Sequence, residues 1–225
     1  MAKQKNTKAN QTNVEFEELT STENFFEKNK NIFVYGGIGI IVLILGFIVY
    51  QKFISEPKDI ESQEQVWNAL YDFQNDSLEI AAQGSGEYAG FEEIASEYEG
   101  TSGGDIANYS MGIIEMEREN YEAAIDYFKN TDVEDVIIGT LSIGLQGDCY
   151  IELGDYETAV DYFEKAANRE PNDFTSPMFL MKAGLAYEEL GQYNDAVRVY
   201  TKIKEEYATT AEGQDIEKYI TRATK

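Results

Sequence analysis

Histidine is absent from this 225-residue chain, and that alone excludes His-based acid–base catalysis, His nucleophile activation and His-ligated metals. Cysteine is nearly absent: a lone Cys149 has no intramolecular disulfide partner and reads as a small buried residue. Positive charge is also scarce, with 18 Lys and Arg against 42 Asp and Glu, a net −24. Residues 1–50 hold five lysines and five glutamates, so the whole excess lies on residues 51–225. A part that acidic repels nucleic acid and anionic lipid headgroups, which removes nucleic-acid binding from consideration. Catalytic signatures are missing as well. There is no Gly-x-x-x-x-Gly-Lys, no serine nucleophile motif, no Cys-x-x-Cys and no calcium loop. Neighbouring carboxylates such as Glu188 and Glu189 diverge on a helix, so no acid pair is built by sequence adjacency. The expectation is a non-enzyme without cofactor or metal.

What the chain does have begins with Ile32–Tyr50, 19 residues without a charge. As a helix this stretch spans roughly 28 Å at 1.5 Å per residue, close to the hydrocarbon thickness of a bilayer. Tyr35, Tyr50 and Phe53 lie near its ends, bracketed by Lys28, Lys30 and Lys52. A cleaved signal peptide is the rival reading. It is disfavoured by the length of the apolar run, the glutamates ahead of it and the lack of a small-x-small site after it. An uncleaved transmembrane anchor at 32–53 is therefore expected, with no Gly-x-x-x-Gly pair to drive its dimerisation. Ahead of it, residues 1–31 are polar and read as a mostly disordered tail, with a weak amphipathic pattern at Val14, Phe16, Leu19, Phe25 and Phe26. The lysine bias places that tail in the cytoplasm and everything after residue 53 outside it.

Beyond the anchor the chain repeats itself. Gly147, Tyr150, Leu153, Gly154, Tyr156, Ala159 and Phe163 recur 37 residues later as Gly184, Tyr187, Leu190, Gly191, Tyr193, Ala196 and Tyr200. A third copy starts at Gly112, with Tyr121, Ala124 and Phe128 in the matching places. Apolar residues at helical spacing lie on both sides of Gly154, where a left-handed residue can end one helix before the next begins. Gly147 and Ala159 allow the two helices close approach, and Pro171 follows the second. One such pair cannot bury its apolar face alone, whereas stacked pairs can. The pattern resembles the tetratricopeptide repeat, which implies an all-α solenoid after one transmembrane helix. The units expected are three repeats over 105–209 (about 105–138, 140–173 and 177–209). A degenerate amino-terminal repeat at 54–104 and a closing helix at 210–225 cap them. Within 54–104, Ser55–Lys58 reads as a linker, Asp59–Phe73 as an amphipathic helix, Asn75-Asp76-Ser77 as the cap of a helix over Leu78–Gln83, and Ala89–Tyr98 as a further helix. Thr210–Arg222 reads as one helix.

In such an array the first helix of each pair lines the inner groove. Counting from each repeat glycine gives Tyr109, Ile113, Met116 and Glu117 in the first pair. The second pair gives Gly144, Asp148, Ile151 and Glu152, and the third Met181, Leu185, Glu188 and Glu189. An apolar groove edged by Glu117, Glu152 and Glu189 suits polypeptide rich in apolar and basic residues. Repeat proteins that clamp a terminal carboxylate use Lys, Arg and Asn there, and Lys182 alone approaches that pattern. The order of tail, anchor and acidic repeats resembles the ancillary subunit family of the bacterial Sec translocon. Gly90-Phe91-Glu92-Glu93-Ile94, Tyr98-Glu99-Gly100-Thr101, Ala107-Asn108-Tyr109 and Gly112 have the same look. That resemblance implies a bacterial inner-membrane protein with a periplasmic repeat domain, partnering the translocon, a periplasmic chaperone and translocated clients. An envelope scaffold for cell-wall or division machinery is the alternative.

Overall fold

The computed structural model describes residues 28–133 and 135–224. The tail expected over 1–31 falls largely outside the described residues. All regular structure among those described is helical, apart from one antiparallel bridge between Gly84 and Ala89. The chain divides into two units, one ending at Glu56 and one covering Pro57–Lys225.

In the first unit, α1 covers residues 28–50, and its apolar side chains from Ile32 to Tyr50 are exposed throughout. A helix this apolar and this exposed has the length and composition to cross a membrane. A π-helical turn, Gln51–Ser55, follows it, closed by the Glu56 amide donating to the Gln51 carbonyl. Two residues on, Pro57 offers no amide and its ring crowds the preceding turn, a clash that a widened turn relieves. The stretch 55–58 is thus helical and not a linker, with Pro57 accommodated by the widened turn that leads into α2 (Glu56–Gln74).

The second unit is a run of helices packed on their sequence neighbours. After α2 come α3 (Leu78–Gln83), α4 (Phe91–Glu97), α5 (Ser102–Glu117), α6 (Tyr121–Lys129), α7 (Val136–Glu152), α8 (Tyr156–Arg169), α9 (Thr175–Glu189), α10 (Tyr193–Glu206), α11 (Ala211–Gln214) and α12 (Ile216–Ala223). Asn75-Asp76-Ser77 ends α2 and does not side-chain-cap α3. Asp76 takes a left-handed φ of 58°, the Ser77 amide donates to the Asp72 carbonyl, and the Ser77 side chain makes no cap bond. The helix expected over Ala89–Tyr98 is the shorter α4. The closing helix is broken in two, with Asp215 ending α11 and Thr210 capping it through the Gly213 amide.

Three clusters form the core. The first joins Val66 and Ala69 of α2, Ala81 and Ala82 of α3, Phe91 and Ile94 of α4, and Met111 and Ile114 of α5. The second sets Ala124, Ile125 and Phe128 of α6 against Cys149 of α7. The largest runs from Phe163 of α8 through Phe179 and Leu180 of α9 to Tyr200 of α10 and Ile216 of α12. One contact recurs in every pair. A Cβ on Gly112 would lie 2.5 Å from the Phe128 ring, on Gly147 2.7 Å from Phe163, and on Gly184 2.1 Å from Tyr200. Each glycine lets an aromatic ring of the second helix lie on the backbone of the first, and burying such a ring stabilises by about 1.5–3 kcal/mol. Each first helix then ends alike. The amides of Asn120, Asp155 and Gln192 donate to the carbonyls of Glu115, Tyr150 and Tyr187, all at 2.8 Å. The residue before each is left-handed: Glu119, Gly154 and Gly191.

Candidate functional site

The repeats are registered by side chains exactly one contact period apart along the chain. Asp148 meets Lys182, Glu164 meets Arg198, Asn168 meets Lys202 and Glu188 meets Arg222, each pair 34 residues apart. The acceptor lies on one unit and the cation on the next, so α12, which carries Arg222, is bonded to α9 as α9 is to α7.

The first-helix side of this stack holds a cleft of about 670 Å³. Ile151, Leu185 and Ala186 supply aliphatic walls, Tyr156 and Phe163 aromatic ones, and Asp148, Lys182, Glu188, Glu189 and Arg222 the polar lining. Leu185 stands 41% exposed in this lining. Lys182 donates to both carboxylate oxygens of Asp148, at 2.8 and 2.6 Å, and lies 5.8 Å from the ring centroids of Phe163 and Phe179. Burial pushes the Asp148 carboxyl up, and Lys182 pulls it part of the way back. Glu188 is held from two sides, by the Tyr200 hydroxyl at 2.7 Å and by Arg222 at 2.6 Å. Burial acts to raise its carboxyl, but Arg222 and Tyr200 outweigh that and leave it below the usual range. Two of the three cleft carboxylates are therefore neutralised internally, and Glu189 is exposed with no ion pair among the described residues. The lining is apolar with a mildly acidic edge, suited to gripping apolar side chains and steering a cation.

The cleft draws together Asp148, Ile151, Leu185, Glu188 and Glu189 of the residues singled out from sequence. Tyr109, Ile113 and Met116 lie elsewhere, half-buried against the α5–α7 cluster, with Tyr109 edge-on to Phe128 at 6.0 Å. Met181 packs into the largest core cluster. Glu117 and Glu152 are exposed. Gly144 does not face the groove, because a Cβ there would lie 1.9 Å from the Phe179 ring. Arg222, Tyr156, Phe163 and Ala186 line the cleft without a place in the count from the repeat glycines, and Lys182 enters the sequence reading only as a lone clamp-like cation. The signal for the two cations was the 34-residue spacing to an acid, one helical turn short of the 37-residue sequence period.

Cys149 is buried, and burial pushes its thiol up to about 12, which disfavours the thiolate that a nucleophile needs. Among the described residues no three His, Cys, Asp or Glu side chains are grouped to hold a metal.

A helical array with a cleft on its first-helix side is the architecture of an α-solenoid. Residues 142–173 match one model of the tetratricopeptide repeat, and residues 179–210 match a second. No curated protein matches the chain. The matches cover the second and third helix pairs, and repeats of this kind mark an adaptor for protein–protein interaction on a scaffold that is typically non-catalytic.

Proposed function

We propose that this protein is a membrane-anchored adaptor that holds polypeptide in the α7–α9–α12 cleft on the extracytoplasmic side of a bacterial cytoplasmic membrane. It works beside the Sec translocon and periplasmic chaperones. The observation that carries the reading is the cleft itself, in which exposed Leu185 and half-buried Ile151 stand beside Glu189 on the side of the stack where such arrays take peptides. In this reading residues 32–53 anchor the chain, 105–209 form three repeats, and 54–104 and 210–225 cap them. The lysines around Ile32–Tyr50 support the orientation, and the order of anchor and acidic repeats supports the translocon association. The partner contributes apolar anchors for grip and basic residues for approach. Glu117, Glu152 and Glu189 provide the field that steers it.

Affinity isolation of the full chain from detergent-solubilised membranes tests this. Translocon subunits should co-isolate with the wild type. Ile151→Ser with Leu185→Ser should speed their dissociation, since lost desolvated apolar contacts act on the off-rate. Glu152→Lys with Glu189→Lys should instead slow association, less so as salt rises. Co-isolation of peptidoglycan synthases in place of the translocon assigns the chain to an envelope scaffold. Partners held equally well by both double variants remove the cleft as the site. Protease added to spheroplasts should digest the repeat domain, and its survival beside a digested periplasmic control reverses the orientation.

A further inference from the structure

The second helices carry a feature that the cleft does not use. Lys165 and Arg169 stand four residues apart on α8, a like-charged pair that repels on a helix face. Among the described residues neither reaches a carboxylate within the 4.0 Å of an ion pair, in a chain with 24 excess negative charges. Arg169 turns instead to backbone carbonyls, those of Val133 at 3.0 Å and Asp135 at 3.4 Å. Lys165 lies 5.7 Å from the centroid of the Tyr162 ring.

Both cations line two cavities, of about 540 and 240 Å³, which share the Ile143 side chain as well. The smaller cavity, between α6, α7 and α8, is also lined by Lys129, Asp132 and Gln146. Among the described residues, three cations there face one carboxylate, and Lys129 is only loosely engaged by Asp126 at 3.6 Å. Gln146 is 4% exposed; its Nε2 donates to the Ser142 carbonyl at 3.2 Å, while its Oε1 is buried with no hydrogen-bond partner. That contact fixes the amide orientation, because a flipped Gln146 would set oxygen against oxygen. A buried acceptor without a donor is costly, and the cost is relieved by any ligand that brings one.

We propose that this cavity binds a carboxylate of a polypeptide together with the backbone amide beside it. Lys129 and Lys165 take the carboxylate, and the amide N–H reaches Gln146 Oε1 when Gln146 gives up its Ser142 contact and turns toward the cavity. The need for a donor disfavours sulfate, which offers none, and Asp132 opposes a doubly charged group such as hydrogen phosphate. The partner surface is acidic, the opposite of what the first-helix cleft takes, so the two sites serve different parts of a partner or different partners.

The test is fluorescence anisotropy on the full chain in detergent micelles with labelled octapeptides. One is rich in Asp and Glu with an amidated end, one is its Asn and Gln counterpart, and one is neutral with a free carboxyl end. The acidic peptide should bind and its amide counterpart should bind at least about 10-fold more weakly, as loss of a charge-assisted contact implies. Binding of the free-ended neutral peptide alone would identify a chain terminus as the carboxylate. Lys165→Gln and Gln146→Leu should each weaken the bound peptide about 10-fold. Lys218→Gln, on α12, should leave it unchanged, with helical circular dichroism intact in all three. Gln146→Leu fills its own space without leaving an orphan, so it keeps the proposal testable should Lys165→Gln perturb the fold. The proposal is overturned if no peptide binds, if Lys218→Gln weakens binding as much as Lys165→Gln, or if Gln146→Leu changes nothing.

Discussion

The first helix pair and the two that follow it are built on one plan but do not share all its parts. In α5–α6 the second helix has 9 residues, against 14 in both α8 and α10. The residue that ends the first helix is Glu119 at φ 61°, where the later pairs have Gly154 at 79° and Gly191 at 69°. The glycine under the aromatic ring is nevertheless present in all three pairs, as Gly112, Gly147 and Gly184. Magnitudes account for which part is kept. A left-handed non-glycine residue costs roughly 1–2 kcal/mol and disturbs little else. A side chain forced between a ring and a helix backbone displaces two helices. The helix stop can therefore drift, while the interhelical contact cannot. The repeat models match the second and third pairs, where both parts are present.

The largest effects should come from removing the rings. Phe163→Ala and Phe128→Ala, at sites 1% exposed, should each cost about 3–5 kcal/mol in the denaturant midpoint of the detergent-solubilised chain. Equal losses would show that the short first pair is held by the same contact as the long second one. A loss below about 1 kcal/mol at Phe128 alone would break the comparison and make α6 a peripheral element.

Placing a methyl group under the ring is the next step down. Gly184→Ala puts a Cβ 2.1 Å from Tyr200, and Gly112→Ala puts one 2.5 Å from Phe128. Overpacking of this kind should cost about 1–3 kcal/mol, with Gly184 the worse of the two because Tyr200 is also tied to Glu188 through its hydroxyl. Thermal unfolding of the two variants side by side measures the difference. A harmless Gly184→Ala would mean that the helices slide apart freely, and the case for a tight glycine contact fails.

How much of this was legible in the sequence follows from the range of each interaction. Gly154, Gly191 and the Gly147–Phe163 relation are read easily because they lie within one helix pair and recur. The all-α solenoid and the apolar α1 follow from periodicity and length alone. Residues 55–58 were read as a linker because Pro57 punctuates a sequence, although a π-helical turn before it keeps the backbone helical. The closing segment was read as one helix because the break at Asp215 leaves the apolar face of Ile216, Tyr219 and Ile220 unchanged. Within the cleft, Ile151, Leu185 and Glu189 were accessible to counting from the repeat glycine. Lys182 and Arg222 were not, since each pairs with an acid on the preceding unit one turn out of register. Met116 was misplaced because half-burial against α6 and outward exposure have the same period on a helix.

The smallest prediction bears most directly on the difference between the pairs, because it repairs it. Glu119 holds a left-handed backbone without the freedom glycine would have there, and its exposed side chain has no ion pair among the described residues. Glu119→Gly removes a strain of roughly 1–2 kcal/mol. Against this stands the extra entropy of glycine in the unfolded chain, about 0.5–1 kcal/mol. The net gain should be about 0.5–1 kcal/mol, and loss of one negative charge from a strongly acidic chain acts in the same direction. Gly154→Ala should do the reverse in the second pair, losing about 1 kcal/mol, although nothing beyond its own chain neighbours lies within 4 Å of the added Cβ. The open space matters, since it confines the effect to the backbone and separates it from overpacking. Denaturant midpoints at equal slope measure both changes. A destabilised Glu119→Gly, beside the expected loss at Gly154, would show that Glu119 makes a contact of its own at the helix end, and the first pair would then be a different solution and not a strained copy of the other two.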